Sequence, residues 1–96
     1  MLILVAYDVS TKTAEGEQRL RRVAQVCKDF GQRVQKSVFE CSVDQAQYED
    51  LVRRLRQCIE EDEDSIRFYR LVEPRDRHMK VYGVNRDVDF EAPLVF

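Results

Sequence analysis

The chain has 96 residues and a mass of 11.4 kDa, enough for one small domain and too little for an enzyme carrying its own cofactor domain. An apolar fraction of 44% excludes disorder throughout, and a charged fraction of 35% gives a heavily charged surface. The net charge of −2 hides segregation: residues 19–56 carry +4, residues 57–64 carry −5 and residues 65–86 carry +4, so the acidic balance does not exclude nucleic acid.

Met1 to Val9 is nearly continuous apolar and predicts a central strand covered on both faces. It is too short to span a bilayer, lacks a basic leader and runs into Asp8. The expectation is therefore a cytoplasmic protein without membrane contact. Ser10 to Gly16 reads as a loop. From Glu17 to Phe30, Leu20, Val23, Ala24, Cys27 and Phe30 recur at helical spacing, with Arg19, Arg22, Gln25 and Asp29 on the opposite face. Gly31 is expected to end this helix as a C′ residue.

Arg33 to Val43 is β-rich. Val34 and Val38 share one phase of the period-two pattern, and Phe39, Cys41 and Val43 share the other. The change of phase near Ser37 implies a bulge, a kink or a tight hairpin. Asp44 and Gln47 form a capping box opening a second helix, whose apolar stripe is Tyr48, Leu51, Val52, Leu55 and Ile59. The acid run Glu60 to Asp64 then falls at a helix C-terminus, where the dipole disfavours anions, and reads as a frayed, solvated turn.

Ser65 to Val72 predicts a further strand, broken by Glu73-Pro74. A basic connector holds Arg75, Arg77, His78 and Lys80, and Met79 to Val84 reads as a short extra strand. The last residues are acidic and end in Leu94, Val95 and Phe96, an apolar terminus expected to dock. Residues 1–84 are read as one domain and residues 85–96 as a tail that docks on the dimer or on a partner. Two helices on one face of an antiparallel sheet give an α+β fold, the ferredoxin-like βαββαβ plait with an extra C-terminal strand. So small a core, and an edge strand able to pair across subunits, predict a two-fold homodimer.

Groups able to do chemistry are few. Cys27, Cys41 and Cys58 are odd in number and widely spaced, against a disulfide framework or zinc site. His78 is the single histidine and has no supporting motif. Asp8 is the most informative acid, because it closes the most apolar strand, where partial desolvation is expected. It either caps the following loop or ligates a metal. One carboxylate is a poor Mg²⁺ site, but a two-fold dimer supplies the second by bringing Asp8 of each chain together. Ser10 either orients water or phosphate there or forms a turn. Of 16 basic residues 12 are arginine, which suits phosphate contact. Arg19, Arg22 and Arg33 are candidates, with solvated or salt-bridged surface roles as the alternative. Phe39 is expected to pack rather than to stack on a base.

Tyr7-Asp8-Val9, the helix containing Arg19-Leu20-Arg21-Arg22-Val23-Ala24, and the block from Gly31 to Cys41 resemble the CRISPR-associated Cas-two family of spacer acquisition. The resemblance runs over roughly residues 1–84. It implies a ferredoxin-like homodimer holding a divalent metal, Mg²⁺ or else Mn²⁺, between the paired Asp8 side chains. It also implies endonuclease activity on RNA or DNA and a complex with the Cas-one integrase, to which the tail would add a strand. Two other readings stand beside this one. One is a non-catalytic dimeric scaffold bridging integrase dimers on DNA, and the other a ribonuclease toxin of the VapD kind.

Overall fold

The computed structural model describes residues 1–83. The elements follow in the order β1 (Leu2–Asp8), α1 (Ala14–Phe30), β2 (Gln32–Gln35), β3 (Val38–Ser42), α2 (Gln45–Cys58), β4 (Ser65–Leu71) and a single turn α3 (Arg75–His78). The strands form one sheet in the order β2-β3-β1-β4, antiparallel at every pairing. This is the strand and helix order of the ferredoxin-like plait, with β1 in the interior of the sheet as its apolar run predicts.

Alternation along β1 decides which side chains meet the helices. Ile3 and Val5 stand opposite Cys41 and Phe39 of β3, and these four join Tyr7, Val23, Cys27, Leu51 and Leu55 in the core. Burying each large apolar side chain contributes about 1.5–3 kcal/mol. Phe39 is fully buried, with its ring 6.2 Å from that of Tyr7, so it packs as expected. Burial pushes the Cys27 thiol up to about 12 and that of Cys41 to about 11, as befits inert core thiols.

The phase change near Ser37 is a hairpin turn between β2 and β3, with a register shift between Arg33 and Gln35. The capping box of α2 forms as predicted: the Gln47 N–H donates to Asp44 Oδ1 at 2.7 Å, and the Asp44 N–H donates to Gln47 Oε1 at 2.9 Å.

Three expectations need correction, and a fourth, the extra strand, involves an edge that one chain does not supply. Helix α1 begins at Ala14, three residues before the expected start at Glu17, because Thr13 caps it by accepting from the Gly16 N–H at 3.0 Å. Gly31 does end α1 as expected, but not as a left-handed C′ residue: its φ is −163°. A Cβ there would lie 2.2 Å from the Glu40 carbonyl and 2.6 Å from the Cys41 Sγ, so glycine is required by the close passage of β3. The acid run is not wholly solvated, since Asp64 is buried. Beyond α3, Met79 to Gly83 takes no strand partner within the single chain. Val84 and the tail lie outside the described residues.

Among the described residues, α1 and α2 leave the other face of the sheet uncovered. There Leu4 stands between Glu40 and Tyr69, and Ala6 between Val38 and Arg67. Leu4, Ala6, Val38 and Leu71 are only partly buried, and Tyr69 is exposed. The expectation of cover on both faces of β1 therefore holds for one face in the single chain. Over the open face, Arg75 brings its Nε to 2.7 Å from Glu40 Oε1, a charge contact without hydrogen-bond alignment.

Candidate active site

Asp8 is the last residue of β1 and pairs with Ser65, the first of β4. The alternation that sends Tyr7 into the core puts Asp8 in the phase of Leu4 and Ala6, on the open face. Asp8 is exposed, which corrects the expected desolvation, because the apolar cover ends with the strand. Its carboxylate takes no hydrogen bond or ion pair among the described residues.

The chain turns back immediately after Asp8. Val9 is buried, and the Ser10 N–H donates to Asp64 Oδ1 at 3.0 Å. On the other side of Ser10, a Cβ at Gly16 would sit 2.0 Å from the Ser10 carbonyl oxygen, so only glycine lets α1 begin this close to the loop. The Ser10 N–H is thus bonded and its carbonyl packed close against Gly16, while its hydroxyl takes no partner among the described residues.

Asp64 holds this end of the molecule together. Its side chain is 0% exposed and accepts from Arg19 Nε at 2.8 Å and the Glu60 N–H at 2.9 Å, besides the Ser10 N–H. Burial opposes its charged form. The hydrogen bonds from Arg19, Glu60 and Ser10 outweigh burial and hold the Asp64 carboxyl below the usual carboxylate range.

These contacts correct the reading of Arg19. It lies on the buried side of α1, committed to Asp64 and within 3.4 Å of Glu63, not on the face open to phosphate. Arg22 is exposed in the helix layer. Arg33 lies two strands from β1, with its guanidinium carbon 5.0 Å from the Phe39 ring centroid and a hydrogen bond to Tyr7. The three arginines therefore belong to the helix-covered side, and Asp8 and Ser10 to the strand end. The fold does not gather them into one pocket.

Asp64 and Gly16 escaped the sequence reading. The signal for Asp64 was present in α1, because Arg19 falls in phase with Val23 and Val26, four and seven residues on. An arginine within an apolar stripe requires a buried acid.

Among the described residues, no group of three or more His, Cys, Asp or Glu side chains stands close enough to hold a metal ion. The donor at the strand end is a hard carboxylate, the chemistry that Mg²⁺ and Mn²⁺ take. It is free of protein partners and lies on a face that a second copy can approach. The residues fit a divalent ion if two chains contribute, and one chain offers a single ligand. No helix among the described residues is long and apolar enough to cross a membrane.

The match to known proteins covers this whole framework. Residues 1–79 match the family described as CRISPR associated protein Cas2. The chain is 65% identical over 95 residues to the CRISPR-associated endoribonuclease Cas2 1 of Moorella thermoacetica, covering 99% of both chains. It is 45% identical over 96 residues to the CRISPR-associated endonuclease Cas2 of Halalkalibacterium halodurans, covering 100% of both. The crystal structure of Streptococcus pyogenes Cas2 at pH 6.5 superposes with a TM-score of 0.78 at 53% identity, over 86% of this chain and 100% of that one. A βαββαβ plait with Asp8 closing its interior strand, matched along nearly its full length, makes this chain a member of the Cas2 family.

Proposed function

We propose that the chain works in the cytoplasm as a two-fold homodimer in CRISPR adaptation, cleaving RNA or DNA phosphodiesters with a divalent metal held between the two Asp8 carboxylates. The observation that carries this reading is the register of Asp8: it stands on the same sheet face as Leu4, Ala6 and Val38, which α1 and α2 leave uncovered. A second copy laid on that face would cover the apolar residues and bring the two Asp8 carboxylates toward one another. The names of the relatives, endoribonuclease and endonuclease, supply the reaction class.

When bound, Mg²⁺ or Mn²⁺ would polarise a phosphate oxygen and acidify a bound water. The chain's own part is to hold the paired carboxylates at the strand ends and to offer the Ser10 hydroxyl two residues on, for a phosphate oxygen or a water. Arg22 supplies positive charge from the helix layer for a longer nucleic acid. Arg19 and Arg33 act inside the protein, through Asp64 and through Tyr7 with Phe39. The partner is the Cas-one integrase.

Purified dimer is incubated with single-stranded RNA and with duplex DNA, with Mg²⁺ or Mn²⁺ and with a chelator. Cleavage that needs metal and disappears in Asp8→Asn supports the reading. Nucleic-acid binding without cleavage in either protein replaces it with the scaffold reading.

A further inference from the structure

We infer that Asp64 is a positioning residue for the Asp8 site, clamping the Asp8–Ser10 segment from the neighbouring strand. The inference rests on the proposed metal-binding role of Asp8 and adds a residue that touches neither metal nor substrate.

Two links made by adjacent residues fix the segment. Ser65 pairs with Asp8 at the last position of the β1–β4 ladder, and Asp64, one residue before it, takes the Ser10 N–H at 3.0 Å. Asp8 lies between a ladder pair on one side and a charge-assisted hydrogen bond on the other. Asp64 cannot drift, because Arg19 Nε donates to its Oδ2 at 2.8 Å and the Glu60 N–H donates to the same oxygen at 2.9 Å. The turn that presents it is closed on itself, since the Asp64 N–H donates to the Glu60 carbonyl at 2.8 Å. Helix α1, through Arg19 and Gly16, and the α2–β4 turn, through Asp64, thus converge on one backbone unit.

A two-fold metal site makes this rigidity consequential. Mg²⁺ takes its oxygen ligands at about 2.0–2.1 Å and tolerates little distortion. Symmetry repeats any displacement of Asp8 in the partner, so the gap between the two carboxylates changes twice over. Asp64→Asn keeps the side chain's shape and one acceptor oxygen but removes the charge that holds Arg19. Loosening of the Ser10 backbone should then reach Asp8 without altering the Asp8 carboxylate itself.

The test measures Mn²⁺ binding to full-length dimer by electron paramagnetic resonance. It compares wild type, Asp8→Asn, Asp64→Asn, Arg19→Lys and a core control, Val26→Ala, each well below its melting temperature. We expect Mn²⁺ affinity to fall at least about fivefold in Asp64→Asn. A smaller fall in the same direction is expected in Arg19→Lys, which keeps the charge but loses the guanidinium fork. Val26→Ala, on the same helix, should stay within about twofold of wild type. If Asp64→Asn does not fold, Arg19→Lys against Val26→Ala decides the question alone. Wild-type affinity in the clamp variants, or an equal loss in Val26→Ala, overturns the clamp while leaving the Asp8 site standing. Wild-type protein without an Asp8-dependent Mn²⁺ site overturns both.

Discussion

The two faces of the sheet are built from alternate residues of the same strands, yet they solve different problems. On one face Ile3, Val5, Phe39 and Cys41 meet Val23, Leu51 and Leu55 in a closed core. On the other, Leu4, Ala6, Val38 and Leu71 are only partly buried, and Glu40 with Arg75 is the charged contact above them. Leu2 is buried yet lies outside the core cluster, the remnant of an apolar surface that the chain begins to cover. The covered face accounts for folding of one chain. The open face carries Asp8, and so joins the candidate chemistry to the surface that a second copy would close.

The largest effect belongs to the covered face. Phe39 is fully buried and stacked on Tyr7, so Phe39→Ala leaves a cavity beneath Arg33 and should cost about 3–5 kcal/mol. Thermal melting of the full chain measures it. A loss below about 1 kcal/mol would show that the core is not concentrated on this face.

Asp64 comes next, because it sits at the rim where the two faces meet. Asp64→Ala strands the Arg19 guanidinium and two backbone N–H groups and should cost about 3 kcal/mol. The folded Asp64 carboxyl is held below its ordinary value of about 3.9. Its stabilisation is thus complete above that value and is lost as pH falls through the lower folded value. Wild-type melting temperature should drop between about pH 5 and pH 2, and Asp64→Asn should flatten that acid limb. An identical acid limb in both proteins would assign the loss to other carboxylates.

Much of this architecture is legible in the sequence, and the reasons differ by element. The nearly continuous apolar run from Met1 to Val9, broken at Asp8, marks the interior strand. The capping box at Asp44 and Gln47 marks the start of α2 through purely local hydrogen bonds. What fails is non-local. Gly31 reads as a local helix stop, whereas its constraint comes from Glu40 and Cys41 on another strand. Asp64 reads as one more acid in a solvated run, because nothing within that run reveals the arginine 45 residues earlier that neutralises it. For the same reason Arg19 reads as a surface cation, although its phase with Val23 and Val26 places it inside. Asp8 and Ser10 are legible as candidates because they follow the most apolar strand, although the desolvation expected of Asp8 there is absent. Their separation from Arg33 depends on strand order and face, which only the folded sheet fixes.

A third experiment tests the open face directly. Leu4 stands between Glu40 and Tyr69 in the middle of that face. Leu4→Lys adds a charge that a single chain can hydrate but that a face-to-face contact would bury. Monomer stability should change by less than about 1 kcal/mol, while the mass by light scattering should fall from that of a dimer to that of a monomer. A stable dimer in Leu4→Lys would move the subunit contact off this face.

The smallest effect is also the one that separates the two faces most finely. Arg75 and Glu40 meet at 2.7 Å on the open side, with side-chain exposures of 41% and 10%. In a single chain Arg75 keeps part of its exposure while Glu40 is already nearly dry, and Arg75→Ala should cost about 1 kcal/mol, a fall of roughly 5 °C in melting temperature. If a second copy lies over this face, Arg75 loses its remaining water on dimerisation, and removing it leaves the Glu40 charge buried more deeply and unpaired. The cost of Arg75→Ala should therefore be several times larger in the wild-type dimer than in the Leu4→Lys monomer. Melting the four proteins of this double-mutant cycle, at one protein concentration and two salt concentrations, measures the difference. Added salt should reduce the monomer's cost more than the dimer's, since screening acts on hydrated charges. Equal costs in both backgrounds would mean that the subunit contact leaves Arg75 as exposed as it is in the single chain, and would shift the interface toward the Asp8 end of the sheet.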